Sequence, residues 1–249
     1  MKTLAIYNIK GGVGKTTTAV NLAYLASRRG HRTLLWDLDP QAAATYVFRV
    51  RPRVKGGGER VIRRRKPIES AIKGTDFDSL DLLPADFTYR HMDLMLDDAK
   101  HPTSQLHHIL EPLRDDYDLI VLDCPPSVSL VSENVLRAAG TVLSPIIPTT
   151  LSVRTLDQLT DFIADAKHRP NLLGFFSMVD RRKRLHRELV EELPLKRSDI
   201  ATTTIPAQSI IEQMATHRAP VPYYAPRSVA AKRYDLLLDE ALAGHPIER

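Results

Sequence analysis

The sequence predicts one doubly wound α/β domain, a mostly parallel sheet with helices on both faces. Three observations carry this. Short, continuously apolar runs alternate with segments of helical periodicity, the pattern of strands buried on both sides. A glycine-rich turn joins the first run to the first helical segment. A length of 249 residues suits one such domain, spanning 1–249, and leaves no room for a second.

The elements follow in order. Thr3–Asn8 reads as a buried strand. Thr16–Arg29 places Ala19, Leu22, Ala23, Leu25 and Ala26 at helical spacing, and Gly30 stands where a helix end favours glycine. Thr33–Asp37 is a second strand ending in carboxylates. Leu80–Pro84, Tyr117–Cys124 and Thr141–Ile147 are the next three, and Leu172–Val179 and Ala201–Ile205 two more. Helical patterns cover Asp86–Asp98, Ser129–Ala138, Ser152–Lys167, Arg184–Leu193, Ala207–Thr216 and Ser228–Ala243. Ligands of such folds bind at the carboxyl ends of the strands, and the polar motifs sit there.

Composition narrows the classes. Hydrophobic residues at 43% and charged residues at 26% are globular rather than disordered values. The single cysteine, Cys124, excludes a disulfide framework and a one-chain four-thiolate metal or iron–sulfur site. No run approaches the length of a transmembrane helix, and the apolar start is too short for a signal peptide, so a cytoplasmic protein is expected. The net charge is +5. Between Arg49 and Lys66 stand nine Lys or Arg against one acid, Glu59. That stretch holds the whole basic excess and leaves the remainder net acidic. With Gly56, Gly57 and Gly58 inside it, it reads as a flexible basic insertion at about 49–66.

Lys10-Gly11-Gly12-Val13-Gly14-Lys15-Thr16-Thr17 lies between the first strand and the first helix. Glycines let successive N–H groups turn inward as an anion nest, and the helix adds its positive end. Lys15 is placed to reach β- and γ-phosphates, and the Thr16 hydroxyl to bind Mg²⁺. Where the ordinary pattern has its first glycine stands Ile9, and Lys10 adds a second cation inside the loop. Asp123 follows the apolar run Leu119–Leu122, the pattern of a carboxylate that holds Mg²⁺. Cys124 behind it reads as a small buried hydrophobe.

The KGGVGKTT spacing resembles the deviant phosphate loop of the ParA/MinD family of dimeric ATPases, and its partition branch in particular. The resemblance spans nearly the whole chain and is most specific at 10–17, 37–41 and 123–127. It implies that ATP and Mg²⁺ are the ligands. It implies that Lys10 reaches the partner's nucleotide across a homodimer, as an arginine finger does. Asp39, in Asp37-Leu38-Asp39-Pro40-Gln41, matches the aspartate that orients attacking water and touches metal-bound water; Asp37 stands behind it. Pro125, Pro126 and Ser127 match the second switch. Here Ala42-Ala43-Ala44-Thr45 follows Gln41 where partition proteins often have Gly-Asn-Ala-Thr, a departure that bears on the subgroup. Met178, Asp180 and Pro206 fall where the family brackets adenine.

The resemblance also implies non-specific binding to DNA in the ATP-bound dimer, a nucleoid association, and a cargo-bound partner protein that stimulates hydrolysis. Arg218, Arg227, Lys232 and Arg233 match the family's DNA-binding half; Arg181, Arg182, Lys183, Arg184 and Arg187 form another cluster. The basic insertion is a third candidate for DNA or partner contact. No operator-binding extension is expected before the first strand. No amphipathic membrane helix is expected after the last one, so the membrane-associated branch is disfavoured. The rival reading is a metabolic ATP-dependent synthase on the same scaffold, against which Cys124 lacks an amidotransferase context. A nitrogenase-like reductase would need two cluster thiolates.

Overall fold

The computed structural model describes residues 1–166 and 168–243. The end of the predicted Ser152–Lys167 helix and the tail after Ala243 lie outside them. The chain runs β1 (Lys2–Ile6), α1 (Lys15–Arg28), β2 (Thr33–Asp37), α2 (Ala43–Val47), α3 (Glu59–Ile62), β3 (Lys73–Gly74), β4 (Leu80–Leu83), α4 (Met92–Asp97) and α5 (Gln105–Leu110). It continues through β5 (Leu119–Asp123), α6 (Leu130–Ala138), β6 (Thr141–Ile146), α7 (Thr150–Ala164), β7 (Asn171–Phe176) and α8 (Arg184–Lys196). Four helices follow: α9 (Ser209–Glu212), α10 (Met214–His217), α11 (Val221–Tyr224) and α12 (Val229–Ala243).

The sheet order is β3-β4-β2-β5-β1-β6-β7. Pairing is parallel except for β3, which closes one edge antiparallel to β4. Alternation along each central strand feeds two cores. Leu4 and Ile6 of β1, with Leu119 and Val121 of β5, pack against α1 and α12. Ala5, Ile120, Leu122 and Trp36 pack on the other face, against α3 to α7. This two-sided burial is why the strands read as continuous apolar runs.

Register decides what the strand ends hold. Asp37 of β2 stands beside Asp123 of β5, and Asp123 beside Ile6 at the end of β1. Two carboxylates and the start of the glycine loop are thereby brought to one edge.

Several expectations need correction. Ala201–Ile205 is not a strand. Only single bridges, Gly174 to Ile200 and Val179 to Pro206, mark its ends, because Thr202 and Thr203 donate their N–H groups to the Glu240 carboxylate instead of a ladder. Asp86–Asp98 is not one helix. Asp86 accepts from Thr88 N–H and starts a 3-10 turn over Phe87–His91 before α4 begins. Ala207–Thr216 is split at Gln213 into α9 and α10.

The expected flexible insertion is folded. Val54, Val61 and Ile62 sit in the first core, and α3 lies within the segment.

Candidate nucleotide site

The loop after β1 is shaped by its glycines and by one buried amide. Gly12 and Gly14 have φ of 71° and 95°, a region open to glycine and strained for most other residues. Gly14 caps α1 without a side-chain bond, and no acid lies in the first turn, so the helix's leading N–H groups are open to an anion. Asn8 is buried and donates to the Pro145 carbonyl (2.9 Å) and Ser144 Oγ (3.2 Å). Its Oδ1 accepts from Lys10 N–H at 2.8 Å, which fixes the loop's entry. Ser177 Oγ donates to the Val13 carbonyl at 2.7 Å, holding the loop to the end of β7. Sequence reasoning missed Asn8 and Ser177; a polar residue at the end of an apolar strand was the available signal for each.

Lys15 is buried, and its Nζ donates to the Lys10 carbonyl at 2.7 Å. Burial lowers its pKa, and the charges of Asp123, Cys124 and Asp39 work against that shift. The Lys10 side chain is half-exposed and meets no carboxylate among the described residues.

The carboxylates differ sharply. Asp37 is fully buried and accepts from Thr45 N–H (2.8 Å) and Thr45 Oγ1 (2.7 Å), and from Asp39 N–H (3.2 Å). Burial pushes its pKa up to about 6 against those three bonds. Asp123 is fully buried, and neither of its carboxylate oxygens has a hydrogen-bond partner. Burial first and then Asp37 push its pKa well up, with Thr16 and Lys15 pulling the other way. Asp39 is half-exposed; its Oδ1 accepts from Gln41 N–H at 2.9 Å. It does not cap α2, whose capping position is Ala42 at φ 58°.

Two buried carboxylate oxygens without donors, next to a second buried carboxylate, suit a hard cation that takes oxygen ligands. Among the described residues no group of three His, Cys, Asp or Glu could hold a metal by itself. That fits Mg²⁺, which is commonly held by one or two protein oxygens with phosphates and water.

The loop after β5 is tied to the end of β1. Tyr7 Oη donates to the Ser127 carbonyl at 2.5 Å, and burial raises that phenol to about 12. Cys124 is a free, buried thiol whose pKa burial pushes up.

The segments expected to bracket a base do meet. Val179 N–H donates to the Ile205 carbonyl (3.0 Å) and Ala207 N–H to that of Val179 (3.0 Å). Met178, at φ 53° and exposed, reaches Gly14, with Cε 4.0 Å from the position of a Cβ there. The Asp180 carboxylate is engaged by Arg182, which holds its pKa near 2.

The C-terminal cations are not equivalent. Arg218 lies over the Tyr46 ring, 4.5 Å from its centre, and donates to the Tyr46 carbonyl. Arg227 and Lys232 are exposed, and Arg233 is half-buried.

A parallel sheet whose strand ends gather a glycine-rich anion nest, a buried lysine and two buried carboxylates defines a P-loop nucleotide-binding protein. A family model described as an AAA domain matches residues 1–173. The sporulation initiation inhibitor protein Soj of Bacillus subtilis is 31% identical, over 97% of this chain and 98% of its own. The chromosome-partitioning ATPase Soj of Thermus thermophilus is 33% identical, over 98% and 96%. The chain belongs to the ParA/MinD family of P-loop ATPases. Two solved structures extend the likeness. A plasmid partition protein of Borrelia burgdorferi bound to AMPPNP matches with a TM-score of 0.85 at 25% identity, covering 98% of this chain and 99% of that one. Cobyrinic acid a,c-diamide synthase of Mycobacterium smegmatis, with ADP and magnesium, matches at 0.80 and 25%, covering 97% and 94%.

Proposed function

We propose that this chain is an ATP-hydrolysing positioning protein, one ATPase domain that dimerises on ATP, binds DNA without sequence preference and moves or segregates a cargo. The cargo carries the partner protein that stimulates hydrolysis, and the nucleoid is the matrix. The reading rests above all on Lys10. Its backbone is pinned on both sides by Asn8 and Lys15, while its half-exposed side chain meets no carboxylate among the described residues, which suits a cation acting on another copy's phosphates.

The site residues divide the work. The N–H groups of Gly11 to Thr17 and Lys15 bind the phosphates of ATP. Thr16 and Asp123 would hold Mg²⁺, with Asp39 close enough to serve its water. When bound, Mg²⁺ offsets charge on the β- and γ-phosphate oxygens. Asp39, tethered through Gln41, orients the attacking water. Lys10 stabilises transition-state charge in trans, worth on the order of 10³-fold or more in rate when an arginine plays that part. Met178, Asp180 and Pro206 flank the base. Arg218, Arg227, Lys232 and Arg233 contribute to DNA contact, with Arg218 committed in part to Tyr46.

A second reading, an ATP-dependent metabolic synthase on the same scaffold, draws on the 25% identity to the diamide synthase. One titration separates them. Random duplex DNA is titrated with the protein in ATP, ADP and no nucleotide across a salt series. Salt-sensitive binding confined to ATP is expected; no binding at low salt in any state would favour the synthase.

A further inference from the structure

The basic segment that follows Asp37–Gln41 is folded, and much of its charge is unpaired among the described residues. Val54 N–H donates to Asp86 Oδ2 at 2.9 Å. Gly56 and Gly57 hold φ of 88° and 86°. A Cβ on Gly58 would stand 2.3 Å from a ring carbon of Tyr89. The three glycines therefore meet shape requirements of a packed loop and are not a linker.

Its cations fall into two sets. Arg63 pairs with Glu59 and Asp98, both at 2.9 Å. Arg49 turns away, toward Asp76 and the His217 carbonyl. Arg51, Arg53, Lys55, Arg60 and Arg64 are exposed, and among the described residues none of them has an ion-pair partner. Arg64 and Arg65 line one groove with Lys100 and His101. Burial first, and then the cationic neighbours His108, Lys100, Arg64 and Arg137, hold His101 below its usual pKa.

Five exposed cations without ion-pair partners among the described residues thus stand on a folded support. The segment's apolar residues are spent on the core, and none of its large hydrophobics is exposed. A protein partner would want an apolar anchor there. A phosphate backbone wants only spaced cations.

The support is also wired to the nucleotide end. Asp86 holds Val54, and the preceding Ala85 donates its N–H to Thr45 Oγ1 at 2.9 Å. That hydroxyl donates to Asp37 Oδ2 at 2.7 Å.

We propose that Arg51, Arg53, Lys55, Arg60 and Arg64 form a second DNA-contact surface, a fixed basic platform that takes backbone phosphates of duplex DNA independently of the C-terminal cations. Asp37, Thr45, Ala85 and Asp86 hold it in place relative to the nucleotide site. The inference rests on the DNA-binding reading above and adds the surface that carries it.

The test is a salt series with random duplex DNA, ATP and Mg²⁺. Each phosphate contact contributes a slope of about −0.9 in log affinity against log salt. The platform variant, with all five residues changed to Gln, should lose about 3 or more from the slope. The pair Arg51→Gln/Arg53→Gln should lose roughly 2. Thermal midpoint and ATP affinity should match the parent, since these side chains touch neither core nor phosphate loop. A parental slope in both variants overturns the platform while leaving DNA binding intact. A parent that binds no DNA in any nucleotide state overturns both readings together. Displacement of the platform's contribution by poly-glutamate as readily as by competitor DNA would assign the surface to an acidic protein instead.

Discussion

Asp123→Asn should make the nucleotide-free protein more stable and the nucleotide-bound protein less so. The side chain is fully buried with two unpartnered oxygens, beside Asp37 in register. Leaving a buried charged group unsatisfied costs at least the roughly 1–3 kcal/mol of an unmet polar group. Asp37 offers a scale. Its carboxyl, moved from 3.8 to about 6, carries ~3 kcal/mol of difference between its protonation states. Asp123, buried as deeply, lacks the three hydrogen bonds that Asp37 accepts, and only Thr16 and Lys15 pull against its burial. The asparagine amide keeps part of the polar cost, so a net gain of about 1–2 kcal/mol at pH 8 is expected. For a chain of this size that is roughly 2–8 °C in thermal midpoint.

The sign with pH follows from the direction of the shifts. Both carboxyls have folded pKa values raised above the unfolded 3.8. Their contribution to stability is therefore fully present below pH ~4 and is lost as pH rises through about 6 and beyond. The advantage of the asparagine should shrink at pH 5, where the parent's pair has taken up a proton. With ATP the order reverses. The parent gains about 2.7 kcal/mol from ligand at a hundredfold excess over Kd when Mg²⁺ is added, and the variant should gain almost none from the metal. Scanning calorimetry at pH 5 and 8, with ATP and with or without Mg²⁺, reads all of this. A variant less stable than the parent at pH 8, or one that keeps the Mg²⁺-dependent shift, would refute the argument.

Two further outcomes are expected. Lys15→Ala removes the buried cation at the mouth of the loop and should abolish ATP binding by isothermal calorimetry; tight residual binding would contradict the cradle. Gly58→Ala forces a methyl into Tyr89 and should cost roughly 1–3 kcal/mol, read as a lowered midpoint in urea; an unchanged midpoint would show that the loop yields.

Legibility in the sequence tracked the range of the interactions involved. The glycine loop, Lys10, Lys15 and Thr16 lie on a strand, a turn and a helix contiguous in sequence, and Asp123 closes its own apolar run at the end of β5, so local patterns pointed to each. Asp37 was read as standing behind Asp39; its bonds to Thr45, eight residues on, were not legible from the strand-end pattern. The basic segment misled because a glycine run reads locally as a linker. Its shape is imposed by Tyr89 and Asp86, some thirty residues away, which no local pattern reports. Ala201–Ile205 misled for a similar reason: its β-branched residues suit a strand, but Glu240 of α12 takes the N–H groups of Thr202 and Thr203. The short helices α2, α3, α5 and α11 carry too few turns for periodicity to register.

The central claim is a nucleotide-gated dimer that Asp39 returns to the monomer by hydrolysis. Asp39→Ala with ATP and Mg²⁺ tests it most directly, by sedimentation velocity with and without random duplex DNA and by phosphate release on the same sample. A stable dimer that binds the duplex and releases almost no phosphate is predicted. A monomer in ATP, or phosphate release at the parent's rate, would contradict the account.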